Sequence, residues 1–320
     1  MSNDSAVRVA VLGLGTMGHG IVQAFASQGI AVQGYDEAPA MRASLQARVR
    51  NNLLQFARFG LFAEEQLEAT LARISVADTL PAVCQGATFV VEAVREDLPA
   101  KQALFAEIET YVAEDTILAS NSSSFPISQS GGRLKRPERA LVTHWFNPPH
   151  IVPTVEIVPS PQTSEAVTQA TLALHKRIGK LAIVIRQELP GFLVNRVQVA
   201  VLREVWDLVE RGVVSVDDLD TAVRGSMGFR LAAFGPLMIH DFGGLDIQAA
   251  VYRNLCPEIR SDTELPKIMQ DHVGAGHFGF KSGEGFYEYP AGEANERLKE
   301  RDERYLALLK LFHAPKSDNI

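Results

Sequence analysis

The 320-residue chain predicts two architectures in series, an α/β domain over residues 1–188 and an all-α domain over residues 189–320. Three observations carry this. Short apolar runs alternate with helical patterns from Val7 to Ile185, the order of a parallel sheet wound with helices. The first run ends in Gly13, Gly15 and Gly18, a G-x-G-x-x-G turn that leads into Met17, Ile21, Val22 and Phe25 at helical spacing. Beyond Pro190 strand signals nearly vanish.

Strand, glycine turn and helix in that order suit a dinucleotide. Gly13 permits the tight turn, Gly15 lets the backbone approach a pyrophosphate, and Gly18 lets the helix pack on the strand. The helix N-terminus directs unpaired N–H groups at the phosphates. A second apolar run, residues 30–35, ends on Asp36, the position of a ribose-binding carboxylate. Asp36 would accept from both ribose hydroxyls and repel a 2′-phosphate, which favours NAD over NADP and a Rossmann-like first domain. A flavodoxin-like unit with glycines used only for packing is the alternative.

Composition narrows the rest. A net charge of −7 and a pI near 5.7, with no basic tract, argue against nucleic acid as a partner. Cys84 and Cys256 are far apart and outside any C-x-x-C spacing, which fits a reducing compartment without a disulfide framework or structural zinc. No secretory signal and no run long enough to span a bilayer is visible, so a soluble cytoplasmic protein is expected.

Residues 38–59 form one long helical pattern and residues 63–73 a second, a solvated helical excursion. Residues 74–76 and 87–94 read as strands, the second interrupted by Glu92. A carboxylate there needs a partner, and at the end of a parallel strand, where ligands collect, cofactor or substrate is the expected one. The helix beginning near Pro99 is expected to turn Ala103, Leu104 and Ile108 inward. Strand 116–119 delivers Ser120, Asn121, Ser122, Ser123 and Ser124 to the same edge. These serve either as helix caps or as ligand-binding groups.

Residues 139–146 and 154–158 are two further strands around the proline-rich NPPHIVP. A hairpin centred on His150 sets His144 opposite Glu156, within reach of a hydrogen bond. His150 itself reads either as a solvent-facing turn residue or as part of a substrate pocket. A helix at 164–178 and a strand at 181–185 end the first domain. Residues 191–211 then form a long helix with Phe192, Val197, Val201, Leu202, Val205, Leu208 and Val209 on its apolar face and Asn195 one turn in. Ser215 and Asp218 make a capping box, and residues 231–247 read as helix, Gly235-Pro236 break and helix. Residues 277–289 are a glycine-rich turn region and residues 293–312 a charged amphipathic helix.

With these pieces in place, the chain resembles the L-3-hydroxyacyl-CoA dehydrogenase family over nearly its whole length. GLGTMG, VVEAV, ASNSSS, HWFNP followed by VEIV, PGFLVNR and KSGEGFYEY stand in family order and spacing. The resemblance implies a Rossmann-like NAD domain followed by an all-helical domain for substrate and dimerisation, hence a homodimer. It makes His144 the general base, Glu156 its orienting partner, Ser123 the group bonded to the substrate hydroxyl and Asn195 the one that holds the developing carbonyl. Asn147 would steady base or substrate. The cofactor set is Gly13, Gly15, Thr16, Met17, Gly18 and Asp36 with Glu92, Lys101 and Asn121. Removing a hydroxyl proton while hydride leaves the same carbon needs a base with a pKa near neutrality, which histidine supplies. No metal is needed, and His272 and His277 stand without a ligand cluster.

The expected reaction is NAD-dependent oxidation of a short-chain L-3-hydroxyacyl-CoA to its 3-oxo product, a step of fatty acid metabolism. Departures from the family pattern raise a rival substrate. EDLPAK replaces a run with a polar residue after E-N-L, N-P-P-H replaces N-P-V-P, and GFRLAAFGP replaces a shorter turn. These features resemble relatives that oxidise small free acids of the gulonate, carnitine or pyridine-carboxylate type, for which Arg230 offers a guanidinium able to grip a carboxylate. A cofactor-binding protein without turnover, of the crystallin kind, is a third alternative. It would require a degraded site, and Ser123, His144, Glu156 and Asn195 all stand.

Overall fold

A computed structural model describes residues 7–313. The chain divides into two compact units. Among the described residues one comprises 7–195 together with 305–313, and the other is Arg196–Arg304. The division differs from the boundary expected at residues 188 and 189, because the last turns of the C-terminal helix pack with the first unit.

The first unit is built on an eight-stranded sheet. In chain order its elements are β1 Arg8–Leu12, α1 Gly18–Ala26, β2 Ala31–Tyr35, α2 Pro39–Arg58, α3 Leu67–Leu71, β3 Ile74–Val76, α4 Leu80–Cys84, β4 Phe89–Glu92, α5 Leu98–Ile108, β5 Ile117–Ser120, α6 Ile127–Ser130, β6 Ala140–Trp145, β7 Thr154–Pro159, α7 Glu165–Arg177 and β8 Leu181–Val184. The spatial order is β3-β2-β1-β4-β5-β6-β7-β8. Pairing is parallel throughout except between β6 and β7, which run antiparallel. The first six strands have the order of a dinucleotide-binding sheet. Short α4 and α6 lacked a pattern long enough to read in sequence, and the excursion at 63–73 is a 3₁₀ turn plus the single-turn α3 rather than one helix.

Strand side chains divide between two cores because successive residues point to opposite faces. Val9, Val11, Phe89, Val91, Leu141 and Trp145 meet α1, α2 and α7 on one side, whereas Ala10, Leu12, Val90, Ala140 and Val142 meet α4 and α5 on the other. Fully burying a side chain such as Phe25 or Leu12 is worth roughly 1.5–3 kcal/mol. On α5 Ile108 is buried and Leu104 packs half-buried on the core as expected, Lys101 and Phe105 are buried beside them, and Ala103 is exposed instead. A third small cluster joins Ile151 to Leu306 and Leu309, with Phe56, Phe59 and Leu61 beside it.

In the second unit α8 Val194–Glu210, begun at the end of the first unit, is followed by α9 Val216–Val223, a π-helical turn, α10 Phe229–Ala233, α11 Pro236–Gly243, α12 Leu245–Leu255, α13 Lys267–Gly274 and α14 Ala294–His313. Ser215 caps α9 as its spacing predicted. Helices α10, α11 and α12 bury none of their residues. Phe229 is 75% exposed and Leu237 79%. No helix among the described residues is long and apolar enough to cross a membrane.

One buried histidine makes stability depend on pH. His175 is fully buried among Phe25, Phe89 and Trp145, its Nδ1 2.8 Å from the Thr171 carbonyl. Burial pushes its imidazole from 6.5 down to about 4. The unfolded chain takes up this proton near 6.5 and the folded one does not, so stability falls as pH drops from 6.5 to 4 and this loss ends below 4. Urea unfolding of wild type and His175→Phe across that window will show the free-energy difference moving in favour of the variant as pH falls.

Candidate active site

Strands β1, β4, β5 and β6 are parallel neighbours, so their C-terminal ends share one edge of the sheet. The glycine turn leaves β1 there and His144 ends β6 there, three strand spacings or about 14 Å apart. That span suits an extended dinucleotide whose two ends need different neighbours.

The glycine requirements are steric. Gly13 has φ +91° and its N–H donates to the Tyr35 carbonyl at 2.8 Å. A Cβ on Gly18 would lie 1.7 Å from the Gly13 carbonyl oxygen, which forbids any side chain, whereas a Cβ on Gly15 would meet nothing within 4 Å. The turn is therefore closed behind and open in front, as the approach of a pyrophosphate requires. Thr16 is exposed on it and half-buried Met17 precedes the first turn of α1. Asp36 accepts from the Leu14 N–H at 2.7 Å and the Ala38 N–H at 2.8 Å, which aims its carboxylate across the same opening and leaves lone pairs for ribose hydroxyls. These residues fit NAD.

Glu92 and Lys101 do not stand where they were expected. Both are buried, and the Lys101 ammonium lies 2.6 Å from Glu92 and 3.2 Å from Glu96. Glu92 also accepts from the Ser120 hydroxyl at 2.6 Å and the Val94 N–H at 2.9 Å. The partner this carboxylate needs is thus internal, and neither residue presents its charge to a ligand. Sequence reasoning passed over Glu96. It collects the serine run, accepting from the hydroxyls of Ser122 at 2.5 Å and Ser124 at 2.7 Å and from the backbone N–H groups of Ser123 and Ser124. Burial alone would raise its carboxyl, but the two hydroxyls and Lys101 hold it below the usual carboxylate range. The only signal in sequence was an acid four places beyond Glu92.

The serine loop and β6 are then tied together. Asn121 accepts from the Trp145 N–H at 3.0 Å, the residue after His144. Ser123 is exposed, and its carbonyl accepts from the Asn195 side-chain amide at 3.3 Å, so these two expected substrate groups are adjacent. Asn147 is exposed in the turn beyond β6.

His144 and Glu156 are register partners, as the hairpin predicted, and His144 Nδ1 lies 2.7 Å from a Glu156 carboxylate oxygen. An ionised carboxylate only accepts, so Nδ1–H donates and Nε2 is left as the basic nitrogen. The second Glu156 oxygen accepts from the N–H groups of Leu193 at 3.2 Å and Val194 at 2.8 Å. Those donors come from the start of α8. The preceding turn explains why α8 begins at Val194 and not at 191: Gly191 has φ +74° and Phe192 +52°. Phe192, placed by its hydrophobicity on the helix face, is instead buried in this left-handed turn with its ring 5.4 Å from that of His144, while Phe146 stands 4.5 Å away. His150 is buried, not solvent-facing. Arg230 belongs to the second unit, exposed on α10.

Comparisons with known proteins agree with this geometry. The model of the 3-hydroxyacyl-CoA dehydrogenase NAD binding domain matches residues 8–189, and that of the 3-hydroxyacyl-CoA dehydrogenase C-terminal domain matches residues 191–289. The chain is 33% identical over 306 residues to 5-formyl-3-hydroxy-2-methylpyridine 4-carboxylate 5-dehydrogenase of Mesorhizobium japonicum, covering 95% of this chain and 97% of that one. A solved structure described as the same dehydrogenase, an NAD+ dependent dismutase, superposes with a TM-score of 0.90 at 32% identity over 96% of this chain and 98% of that one. The (S)-3-hydroxybutyryl-CoA dehydrogenase of Ralstonia eutropha gives a TM-score of 0.73 at 30% identity, over 89% of this chain and 100% of that one. With a glycine turn shaped for NAD and both domain models matched, the chain belongs to the 3-hydroxyacyl-CoA dehydrogenase family of NAD-dependent dehydrogenases.

Proposed function

We propose that the protein oxidises a small, carboxylate-bearing substrate at a carbon–oxygen centre, with His144 as general base and Glu156 as the group that orients and charges it. One observation carries the chemistry: the 2.7 Å contact between His144 Nδ1 and Glu156 at the sheet edge that also holds the glycine turn. NAD, when bound, supplies the hydride acceptor. His144 Nε2 removes the hydroxyl proton, and the ionised Glu156 stabilises the resulting imidazolium while fixing the tautomer. Glu156 is held in direction by the N–H groups of Leu193 and Val194. Ser123 bonds the substrate hydroxyl, and Asn195 holds the carbonyl that develops. Asn147 steadies the reacting end.

The choice of a small acid is supported by the closer likeness, TM-score 0.90 against 0.73, to a pyridine-carboxylate dehydrogenase than to the hydroxybutyryl-CoA enzyme. For such an acid the sequence offers the Arg230 guanidinium as the carboxylate's partner, and substitution of Arg230 tests that role. A second reading, a short-chain 3-hydroxyacyl-CoA, is favoured by both domain models.

The second unit also points to a homodimer. Leu219 is its one buried hydrophobic side chain among the described residues, while Phe229, Leu237, Phe242 and Leu245 are exposed. A helical unit with so little core needs a partner surface to be stable.

Three outcomes test these statements. His144→Gln and Glu156→Gln each lower kcat by about 100-fold or more with little change in the KM for NAD, measured by NADH absorbance. With 3-hydroxybutyryl-CoA and a panel of small hydroxy and formyl carboxylates, the free acids give the higher kcat/KM, and Arg230→Ala raises their KM about tenfold or more; turnover of the thioester alone would establish the second reading. Light scattering gives twice the chain mass for wild type and the single-chain mass for a Leu237→Asp/Phe242→Asp variant.

A further inference from the structure

The bend between β6 and β7 is held from two sides. On one side lies Lys180, at the entry to β8. It is buried, and its ammonium donates to the carbonyls of Pro149 at 2.7 Å and Val152 at 2.8 Å while standing 5.1 Å over the Trp145 ring. On the other side lies Gly20 of α1, where a Cβ would come within 2.7 Å of His150 Nδ1 and 2.8 Å of Pro149 Cγ. The helix that opens at the cofactor turn therefore packs directly on the bend. Ile151 and Val152 N–H groups both bond to the Pro148 carbonyl, so the bend is a closed turn whose outward carbonyls are those Lys180 takes.

This lysine is expensive to keep. Burial brings its ammonium from 10.5 down to about 7. The nearest titratable neighbours named by the structure are imidazoles: His175 of α7, which burial keeps neutral near pH 7, His150 in the bend and His19 of α1 beyond it. No acid balances it among the side chains it contacts. A methionine of similar length would fill the space without that cost, so the two donors are what the position requires.

We propose that Lys180 is a positioning residue: by tying two carbonyls of the bend, it sets Asn147 and the closing pair Trp145–Val155, and through them the alignment of His144 with Glu156. This rests on the reading of His144 and Glu156 as the acid–base pair. Lys180 touches neither reacting group. Its effect passes through one closed turn that lies between the strand bearing the base and the strand bearing the acid. An error of an ångström in such a support is enough to cost rate without costing cofactor affinity.

The test compares wild type, Lys180→Met and His144→Gln as full chains at saturating NAD. Lys180→Met is expected to lower kcat at least tenfold, leave the KM for NAD within twofold, and speed amide hydrogen exchange at Ile151 and Val152 at least tenfold. A folded Lys180→Met with wild-type kcat overturns the proposal, and so does a uniform rise in every KM at constant kcat. Should Lys180→Met fail to fold, Gly20→Ala presses on the same bend from α1 and is expected to lower kcat with the same exchange signature; unchanged kcat there overturns the proposal instead. Turnover surviving in His144→Gln would sink the acid–base reading itself, whereas an inactive His144→Gln beside a fully active Lys180→Met sinks only the role of Lys180.

Discussion

A fully buried carboxylate, Glu156, is the constraint on which the rest of the candidate site depends, and the surrounding structure meets both of its oxygens with close donors. Taking a charge out of water is costly unless it is met by close donors. Glu156 has three: the His144 imidazole and the N–H groups of Leu193 and Val194. They come from two parts of the chain, the sixth strand and the adjacent residues Leu193 and Val194 where α8 begins. The need to satisfy one oxygen pair thus draws the strand that bears His144 and the start of the long helix to the same point.

The cofactor side follows a different logic, in which exclusion of atoms matters more than attraction. Gly18 is dictated by the carbonyl of Gly13, and the open space in front of Gly15 is what remains once the back of the turn is filled. Between the two sides runs the serine loop. Glu96 gathers its hydroxyls and amides, Lys101 bridges Glu96 and Glu92, and Asn121 passes the constraint to Trp145. The loop that presents Ser123 is therefore positioned by a buried charge network and not by regular secondary structure.

Several features are legible in the sequence because they are local or periodic. Glycine spacing demands a turn, and apolar alternation places strands. A proline-rich centre at His150 makes residues 144 and 156 equidistant, so a hairpin pairs them whatever surrounds it. The fate of Glu92 was misread for the opposite reason. An acid at the end of a buried strand must find a cation, but nothing in linear order says whether that cation is a ligand or the lysine nine residues later on the helix packed beneath.

Sequence by itself determined the alternation of strands and helices in the first unit, the place of the cofactor turn and the pairing of His144 with Glu156, since each depends on steric rules or register within short stretches of chain. Tertiary structure alone decided which charges are spent inside the fold, that Phe192 leaves the helix to lie against His144, and that Lys180 and Gly20 grip one bend. Those outcomes depend on distances between segments far apart in the chain, and burial energies set by such distances have no counterpart in a pattern of residue types.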